Sequence, residues 1–224
     1  MSLAAFSSCT LSDALLKLGV ASAGHFPDIV RFSGSSRICG PAYTVKMVYA
    51  TDKDSPKLEQ HFVDTAPPNS VIVIDAPTHA KNAVWGGLMT AGAQAQNALG
   101  VVISGRCRDL AEHRSLNFPV FARGHSTVGQ SPFTRPSAVN VPLEISPFDP
   151  YDAHSVASPP FPSVEVNPGD WIVGDEDGVV CVPKELEAKV LELSAKLVEI
   201  DDKCLEDIKA GKGVQASFKL HRGK

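Results

Sequence analysis

The sequence has no long apolar run and no excess of basic residues. Apolar runs such as Val71–Ile74 and Val101–Ile103 have the length of strands, whereas a helix that spans a membrane needs roughly 20 residues. The 21 Lys and Arg residues stand against 25 Asp and Glu residues, which gives a formal net charge of −4. Binding to the phosphate backbone of a nucleic acid requires a basic surface. We therefore expect neither a membrane protein nor a nucleic-acid-binding protein.

Cysteine is scarce and shows no pattern. The five cysteines are odd in number, lie far apart and form no CxxC pair, so the sequence predicts no disulfide framework. The N-terminus also lacks the basic residues that precede the apolar stretch of a signal peptide, and we expect a cytoplasmic protein. Cys107 alone lies inside a candidate motif. We expect it to be a small buried residue rather than a nucleophile.

Several common binding and catalytic motifs are missing as well. The sequence contains no GxGxxG motif, no Walker loop and no GxSxG motif, and its seven histidines have neither HxH nor HxxxH spacing. This argues against a histidine-rich zinc site. The cluster Asp175-Glu-Asp-Gly178 resembles the start of a calcium loop, but valines stand where an EF-hand needs further oxygen ligands. A tight hairpin turn is the favoured interpretation.

The length and composition are those of an average soluble protein. The chain has 224 residues, of which 43% are hydrophobic and 21% charged, enough for the core of one α/β domain or two small ones. The predicted helices are Thr10–Gly19 (capped by Thr10), Lys57–Ala66, Gly86–Ala98, Leu110–Leu116 and Lys184 to about Lys209. The predicted strands are Tyr43–Tyr49, Val71–Ile74, Val101–Ile103, Pro119–Ala122, Trp171–Val173 and Val179–Val182.

Proline is concentrated in one segment. Residues 132–168 hold nine of the 17 prolines, which excludes a helix there and favours loops and short edge strands such as Ala138–Ile145. The sequence has no internal repeat and no clear domain boundary. We therefore expect residues 1–224 to form a single domain.

Strands and helices alternate through the middle of the chain. This alternation predicts parallel strands joined by right-handed crossovers, and such sheets bind ligands beyond the carboxyl ends of their strands. The strand Val71–Ile74 leads to Asp75, and the strand Val101–Ile103 leads to the polar segment Ser104–Asp109. Polar residues from two strands are therefore expected at one edge of the sheet.

Two motifs near this edge carry the candidate chemistry, Trp85-Gly-Gly-Leu-Met89 and Arg108-Asp-Leu-Ala-Glu112. Glycines at the start of a helix leave N–H groups free for a small anion, and the guanidinium of Arg108 fits a carboxylate as a planar fork. Asp109 and Glu112 are hard oxygen donors suited to Mg²⁺ or Mn²⁺. Together these groups would stabilise an enolate. The alternative is a glycine-rich helix start beside a surface salt bridge.

These two motifs are among several segments in which the chain resembles the RraA-like family. The family contains regulators of ribonuclease E activity and class II pyruvate aldolases, which cleave 4-hydroxy-4-methyl-2-oxoglutarate and decarboxylate oxaloacetate. The similar segments are Leu11-Ser-Asp-Ala14, Gly40-Pro-Ala-Tyr-Thr-Val45, Trp85-Gly-Gly-Leu-Met89, Gly100-Val-Val-Ile-Ser-Gly105 with Arg108-Asp109, Pro168-Gly-Asp-Trp-Ile-Val173 and Asp177-Gly-Val-Val180. The resemblance implies an α/β fold, a β/β/α sandwich of the swivelling-domain type. It also implies homotrimers or homohexamers with sites at subunit interfaces.

The resemblance implies roles for individual residues. Arg108 would bind the pyruvyl carboxylate and the enolate oxygen, and Asp109 would ligate a divalent cation, most simply Mg²⁺, with Mn²⁺ as the alternative. The carboxylate would be bound by the backbone amides of Gly86, Gly87, Leu88 and Met89. Family members carry either D-x20-R-D or G-x20-R-D-x2-E/D, and this chain has the second form with Glu112 as the extra acid.

Two classes of function follow from the resemblance. One is a metal-dependent lyase acting on 2-oxo acids: decarboxylation of oxaloacetate needs only an electron sink, whereas retro-aldol cleavage also needs a base, for which we predict water oriented by Glu112. The other is a non-catalytic binding protein of the ribonuclease-regulator type. The pair Arg108–Asp109 with Glu112 favours catalysis, because a regulator needs no metal site. Chemistry on other small acids is a third alternative.

Overall fold

The computed structural model describes residues 2–147 and 161–223. The α-helices are Ser8–Lys17 (α1), Gly87–Ala95 (α2), Leu110–Ser115 (α3), Glu187–Lys209 (α4) and Val214–His221 (α5), and two short 3-10 turns lie at Leu3–Ala5 and Lys184–Leu186. The strands are Val30–Ser33 (β1), Ile38–Tyr49 (β2), Val71–Asp75 (β3), Gly100–Cys107 (β4), Val120–His125 (β5), Thr134–Val139 (β6), Leu143–Ile145 (β7), Val164–Val166 (β8), Trp171–Gly174 (β9) and Val179–Val182 (β10).

Eight of these strands form one sheet. Its order is β1-β5-β4-β3-β2-β9-β10, and β6 pairs with β2 beside this path. The central strands β2, β3, β4 and β5 are parallel, which the alternation with helices predicts for β3, β4 and β5. The outer strands pair antiparallel. Strands β7 and β8 form a separate antiparallel pair.

Different elements cover the two faces of the central strands. On one face, Ile74 and Ile103 belong to a buried cluster that includes residues of α2 and is flanked by residues of α3. On the other face, Val73 and Val102 pack with the apolar residues of β7 and β8. The layers are therefore helices, main sheet and a second β layer, which confirms the predicted α/β fold of the β/β/α type. That residues 1–224 form a single domain stays a prediction.

Helix α1 begins earlier than predicted, because Ser7 and not Thr10 is its N-cap. The Ser7 hydroxyl accepts a hydrogen bond from the Thr10 N–H at 3.1 Å. The N–H and the hydroxyl of Ser8 donate to the carboxylate of Asp175 at 2.8 and 2.6 Å. Asp175 lies in the turn between β9 and β10, so these bonds hold the start of α1 against that hairpin.

The predicted helix Lys57–Ala66 is wrong. The segment is irregular apart from one turn at residues 62–65, where the Asp64 N–H donates to the His61 carbonyl at 2.9 Å. So short a helix is marginal without tertiary support, and Pro67 disfavours the helical conformation at the preceding residue. The buried side chains of Phe62 and Val63 hold the segment against the core instead.

The predicted strand Ala138–Ile145 is also wrong as a single element. Strand β6 ends at Val139, and Asn140 has a left-handed backbone conformation with φ 54°. Pro142 has no N–H for a sheet, and β7 begins only at Leu143. Of the remaining proline-rich segment, residues 148–160 lie outside the described residues.

The C-terminal helix α4 is preceded by the turn Lys184–Leu186 and followed by α5, which the sequence pattern does not predict. Helix α5 is held to α4 by an ion pair between Arg222 and Asp201 and by a hydrogen bond between His221 and Asp207, at 2.6 and 2.9 Å. Within residues 2–147 and 161–223, no helix combines the length and the apolar character that crossing a membrane requires.

The contacts of Asp175 lead to a stability prediction. Burial alone would raise the pKa of this carboxyl, but hydrogen bonds from Ser8 and the charge of Arg37 outweigh burial and lower the pKa. We expect Asp175→Asn to reduce the free energy of unfolding at neutral pH by about 1–3 kcal/mol. A carboxyl with a lowered pKa stabilises the fold above its ordinary pKa and ceases to do so as the pH falls.

Urea denaturation of both proteins at several pH values checks this prediction. The difference in unfolding free energy between wild type and Asp175→Asn should shrink as the pH falls from roughly 5 towards 2. A difference that stays constant over this range would contradict the role assigned to the Asp175 charge.

Candidate active site

A short backbone pairing beyond the end of β3 brings the two candidate motifs together. Strand β4 continues to Cys107, where it forms an isolated parallel bridge with Trp85. The N–H of Val84 donates to the carbonyl of Arg106, and the N–H of Arg108 donates to the carbonyl of Trp85, both at 2.9 Å. The turn that starts α2 therefore lies directly beside the turn that starts α3.

Helix α2 presents its first turn to this place. It begins at Gly87, whose N–H donates to Oδ2 of Asp109 at 3.0 Å. The next two N–H groups, of Leu88 and Met89, have no acceptor inside the helix because of their position in its first turn. They are available to an anion, and the positive end of the helix dipole favours negative charge there.

Arg108 and Asp109 lie side by side at the end of β4. The Nε of Arg108 is 3.4 Å from Oδ2 of Asp109, and the side chains are 46% and 31% exposed, so solvent and small ligands reach both. The guanidinium packs over Gly129, where an added Cβ would lie 2.8 Å from Nη1. A glycine at position 129 thus makes room for the Arg108 side chain.

Glu112 occupies the space that a side chain at position 87 would need. A Cβ built on Gly87 would lie 1.6 Å from Oε2 of Glu112, and one built on Gly86 would lie 2.6 Å from Oδ2 of Asp109. Both glycines therefore leave space for carboxylates: Gly87 for that of Glu112 in α3, and Gly86 for that of Asp109, the N-cap residue of α3. The structure brings the two glycines, Arg108, Asp109 and Glu112 into one place, whereas Asp75 borders a different cavity.

Arg108, Asp109 and the first turn of α2 border an open cavity of about 290 Å³. Its lining includes Arg108, Asp109, Leu88 and Met89, together with His61 and Gln130, which the sequence analysis missed. The His61 ring stacks on Phe62 with ring centres 4.9 Å apart, and the amide oxygen of Gln130 is buried without a hydrogen bond in the described part of the chain. No motif or spacing marks these two residues, because they come from loops far away in the sequence.

Two buried groups lie behind the cavity. Burial lowers the pKa of the His113 imidazole, while the nearby backbone of Arg108 and the charges of Asp109 and Glu112 act in the opposite direction. Burial also raises the pKa of the Cys107 thiol to about 11. Because the thiolate is the reactive form, this is the inert buried cysteine that the sequence analysis expects.

Asp109 and Glu112 are the carboxylates available for a cation at this site. Across residues 2–147 and 161–223, no group of three or more His, Cys, Asp or Glu side chains is arranged to hold a metal ion. Two carboxylates can hold a hydrated Mg²⁺ or Mn²⁺, since these ions keep several water ligands in proteins. The Asp175–Gly178 cluster, in contrast, forms the turn of the β9–β10 hairpin.

The fold and the site define a class of α/β protein. In this class, a helix that begins at a Gly-Gly turn lies beside an Arg–Asp pair, beyond the end of a parallel strand. The model of one family, described as RraA-like: Aldolase/RraA, matches residues 8–181. The chain belongs to this RraA-like family, which confirms the resemblance seen in the sequence motifs.

Individual relatives agree with this membership. A protein of Halalkalibacterium halodurans named "Putative 4-hydroxy-4-methyl-2-oxoglutarate aldolase" is 33% identical over 172 residues, which cover 77% of this chain and 71% of that protein. The crystal structure of an uncharacterized protein from Pseudomonas syringae pv. tomato is 29% identical, with a TM-score of 0.76 over 95% of this chain and 92% of that one.

A third relative shares the fold alone. Streptomyces coelicolor RraAS2, described as an unusual member of the RNase ES inhibitor RraA protein family, is 23% identical to this chain. The TM-score is 0.70, and the match covers 93% of both chains.

The close fit between Gly87 and Glu112 gives a prediction. In Gly87→Ala the new methyl group must displace the Glu112 carboxylate, and we expect the free energy of unfolding to fall by about 1–3 kcal/mol. Adding Glu112→Ala removes the displaced atoms and should recover part of this loss, as a double-mutant cycle in urea denaturation would measure. Additive effects of the two substitutions would show that these side chains do not compete for one space.

Proposed function

We propose that the protein is a divalent-metal-dependent lyase that acts on 2-oxo acids through a pyruvate enolate. One observation carries the proposal: Arg108, Asp109 and the first turn of α2 border the same cavity. An anion-binding helix start, a guanidinium and carboxylates suited to a hard cation are the groups that enolate chemistry requires. Membership of a family in which relatives are named as aldolases agrees with this proposal.

The chain's own groups bind and orient the substrate. In the proposed complex the substrate carboxylate accepts hydrogen bonds from the N–H groups of Leu88 and Met89. The guanidinium of Arg108 donates to this carboxylate and to the 2-oxo oxygen. Negative charge grows on that oxygen as the enolate forms, so the contact with Arg108 strengthens in the transition state.

Asp109 is the proposed ligand of the cation, and Glu112 would orient a water molecule. Asp109 uses Oδ2 to accept the Gly87 N–H at 3.0 Å, which leaves Oδ1 for a metal. With one protein carboxylate as ligand, the ion would keep most of its water molecules, as is usual for Mg²⁺. When bound, the cation supplies positive charge that stabilises the enolate oxygen.

The two proposed reactions differ in their need for a base. In oxaloacetate the bond between C3 and C4 breaks, carbon dioxide leaves, and the remaining enolate takes a proton from water at C3. In 4-hydroxy-4-methyl-2-oxoglutarate the 4-hydroxyl must first lose its proton, after which cleavage of the same bond gives pyruvate and a pyruvate enolate. We propose that Glu112 is the base, and that it accepts the proton of the 4-hydroxyl through a water molecule.

A regulatory role is the second candidate function. Its support is the likeness to RraAS2, described as a member of an RNase inhibitor family, and at this identity the likeness concerns the fold alone. A regulator requires neither the free helix N–H groups nor the accessible Arg108–Asp109 pair. The geometry therefore favours the lyase.

We also propose that the protein assembles as a homotrimer or homohexamer. Leu88 borders the cavity and is 90% exposed, while Val128 and Phe133, on either side of Gly129 and Gln130, are 45% and 50% exposed. Val128 and Phe133 border one further cavity together, and exposed apolar side chains of this kind are typical of a surface that another subunit covers.

Pyruvate release from oxaloacetate is the direct test of the lyase. Purified protein should release pyruvate faster than the spontaneous reaction, lose this activity with EDTA and regain it with Mg²⁺ or Mn²⁺. Release that is equal with and without the protein would reject the lyase. Light scattering on the same preparation tests the assembly, which a mass near the 23.8 kDa of one chain would contradict.

Removal of the Asp109 carboxylate should abolish turnover. We expect Asp109→Ala to lose nearly all activity, because a methyl group cannot hold a hydrated cation. Asp109→Asn is the matched control: it keeps an acceptor for the Gly87 N–H but loses the charge, and it should also lose metal affinity. Both are measured as turnover against Mg²⁺ concentration, and unchanged turnover of Asp109→Ala at micromolar Mg²⁺ would rule out Asp109 as the ligand.

Arg108→Lys distinguishes the effect of the guanidinium geometry from the effect of its positive charge. The lysine keeps the positive charge but loses the two-pronged contact with the carboxylate and the enolate oxygen. We expect kcat and kcat/KM to fall together by about 10²–10³-fold, as for loss of an oxyanion donor, with little change in metal affinity. A raised KM with intact kcat in steady-state kinetics would instead make Arg108 only an anchor for the carboxylate.

A further inference from the structure

A buried hydrogen-bond network lies behind the cavity, made of Trp85, Thr90 and His113. Their exposed fractions are 1%, 0% and 0%. The indole N–H of Trp85 donates to the hydroxyl of Thr90 at 2.8 Å. The same hydroxyl is 2.9 Å from Nδ1 of His113. The proposed reaction gives none of these three residues a chemical step.

Each member of the network belongs to a segment that carries part of the site. Trp85 immediately precedes the Gly86–Gly87 turn, and its carbonyl accepts the Arg108 N–H at 2.9 Å. Thr90 lies in α2, one residue after the N–H groups that face the cavity. His113 lies in α3, directly after Glu112 and close to the backbone of Arg108. One hydroxyl thus connects the two helix starts that form the site.

The chemistry of the three groups requires a hydroxyl at position 90. An indole N–H can only donate, while a hydroxyl can accept that bond and still pair with an imidazole nitrogen. A side chain without the hydroxyl would leave both neighbours buried and unpaired, which is costly. Trp85 also belongs to a buried apolar cluster with Phe62, Ala93 and Cys107, and the hydroxyl of Tyr43 in that cluster is bonded to Thr65.

We infer that Thr90 is a positioning residue, which together with Trp85 and His113 fixes the start of α2 relative to Arg108 and Asp109. The hydrogen bond between the Gly87 N–H and Asp109, at 3.0 Å, joins the start of α2 to the residue that precedes α3. Its strength therefore depends on the spacing of these two segments. The network acts through this spacing and touches neither substrate nor cation. The effect of the network on catalysis rests on the proposed function. Its effect on the Gly87–Asp109 hydrogen bond does not.

Three variants test the inference. Thr90→Val keeps the shape and removes the hydroxyl, and Thr90→Ser keeps the hydroxyl. The matched control is Thr44→Val in β2: Thr44 is also 0% exposed, and its hydroxyl donates to the Val141 carbonyl at 2.7 Å, away from the cavity. Thermal unfolding establishes that each variant folds and how much stability each one loses.

Hydrogen–deuterium exchange of the Gly87 amide, followed by NMR, is the main readout. Relative to wild type, we expect exchange to be about tenfold faster in Thr90→Val, matching the loss of a buried hydrogen-bond partner. Exchange should be nearly unchanged in Thr90→Ser and in Thr44→Val. Unchanged exchange in Thr90→Val, or an equal increase in Thr44→Val, would overturn the inference.

Mn²⁺ binding, measured by electron paramagnetic resonance, and kcat for oxaloacetate separate the inference from the proposed function. We expect Thr90→Val to weaken Mn²⁺ binding and lower kcat by about tenfold, and Thr90→Ser to restore both. If the wild type turns over oxaloacetate while Thr90→Val changes neither quantity, the positioning role is wrong and the lyase stands. If the wild type has no activity but Gly87 exchange responds as expected, the network stands and the lyase fails.

Discussion

The site depends on the pairing of residues 84–85 with the extension of β4. Two backbone hydrogen bonds, Val84 to Arg106 and Arg108 to Trp85, fix the register of these segments. Without them, the starts of α2 and α3 would lie on separate loops, and their spacing would vary. With them, the free N–H groups of α2 and the Arg108–Asp109 pair face one cavity. The positions of the two segments are thus fixed by main-chain hydrogen bonds, and the side chains supply the charged groups.

Small residues complete this arrangement. Gly86 and Gly87 leave the space that Asp109 and Glu112 occupy, and Gly129 leaves space for the Arg108 guanidinium. The overlap between Glu112 and a side chain at position 87 gives a steric reason why this chain combines Glu112 with a glycine there. An acid can enter this space from α2 or from α3, but both cannot fill it unchanged.

The sequence predicts the central part of the fold well, because buried parallel strands such as β3 and β4 have distinct apolar runs. It also predicts Arg108, Asp109 and Glu112 as neighbours of the α2 start, since strand ends meet at one sheet edge. It fails at Lys57–Ala66, where tertiary packing and Pro67 prevail over local helix propensity. It also misses His61 and Gln130, because their place in the cavity follows from loop paths that no periodic pattern encodes.

The Asp109 side chain bonds outside its own helix. It stands at the N-cap of α3 with a left-handed backbone, φ 61°, yet its side chain makes no capping hydrogen bond to that helix. Asp tolerates this conformation better than most residues, and such backbone geometry is frequent at functional sites. Its carboxylate turns instead to the Gly87 N–H and to Arg108. Because Asp109 does not cap its own helix, its Oδ2 can lie between the start of α2 and Arg108. Its other oxygen, Oδ1, stays available to the cavity.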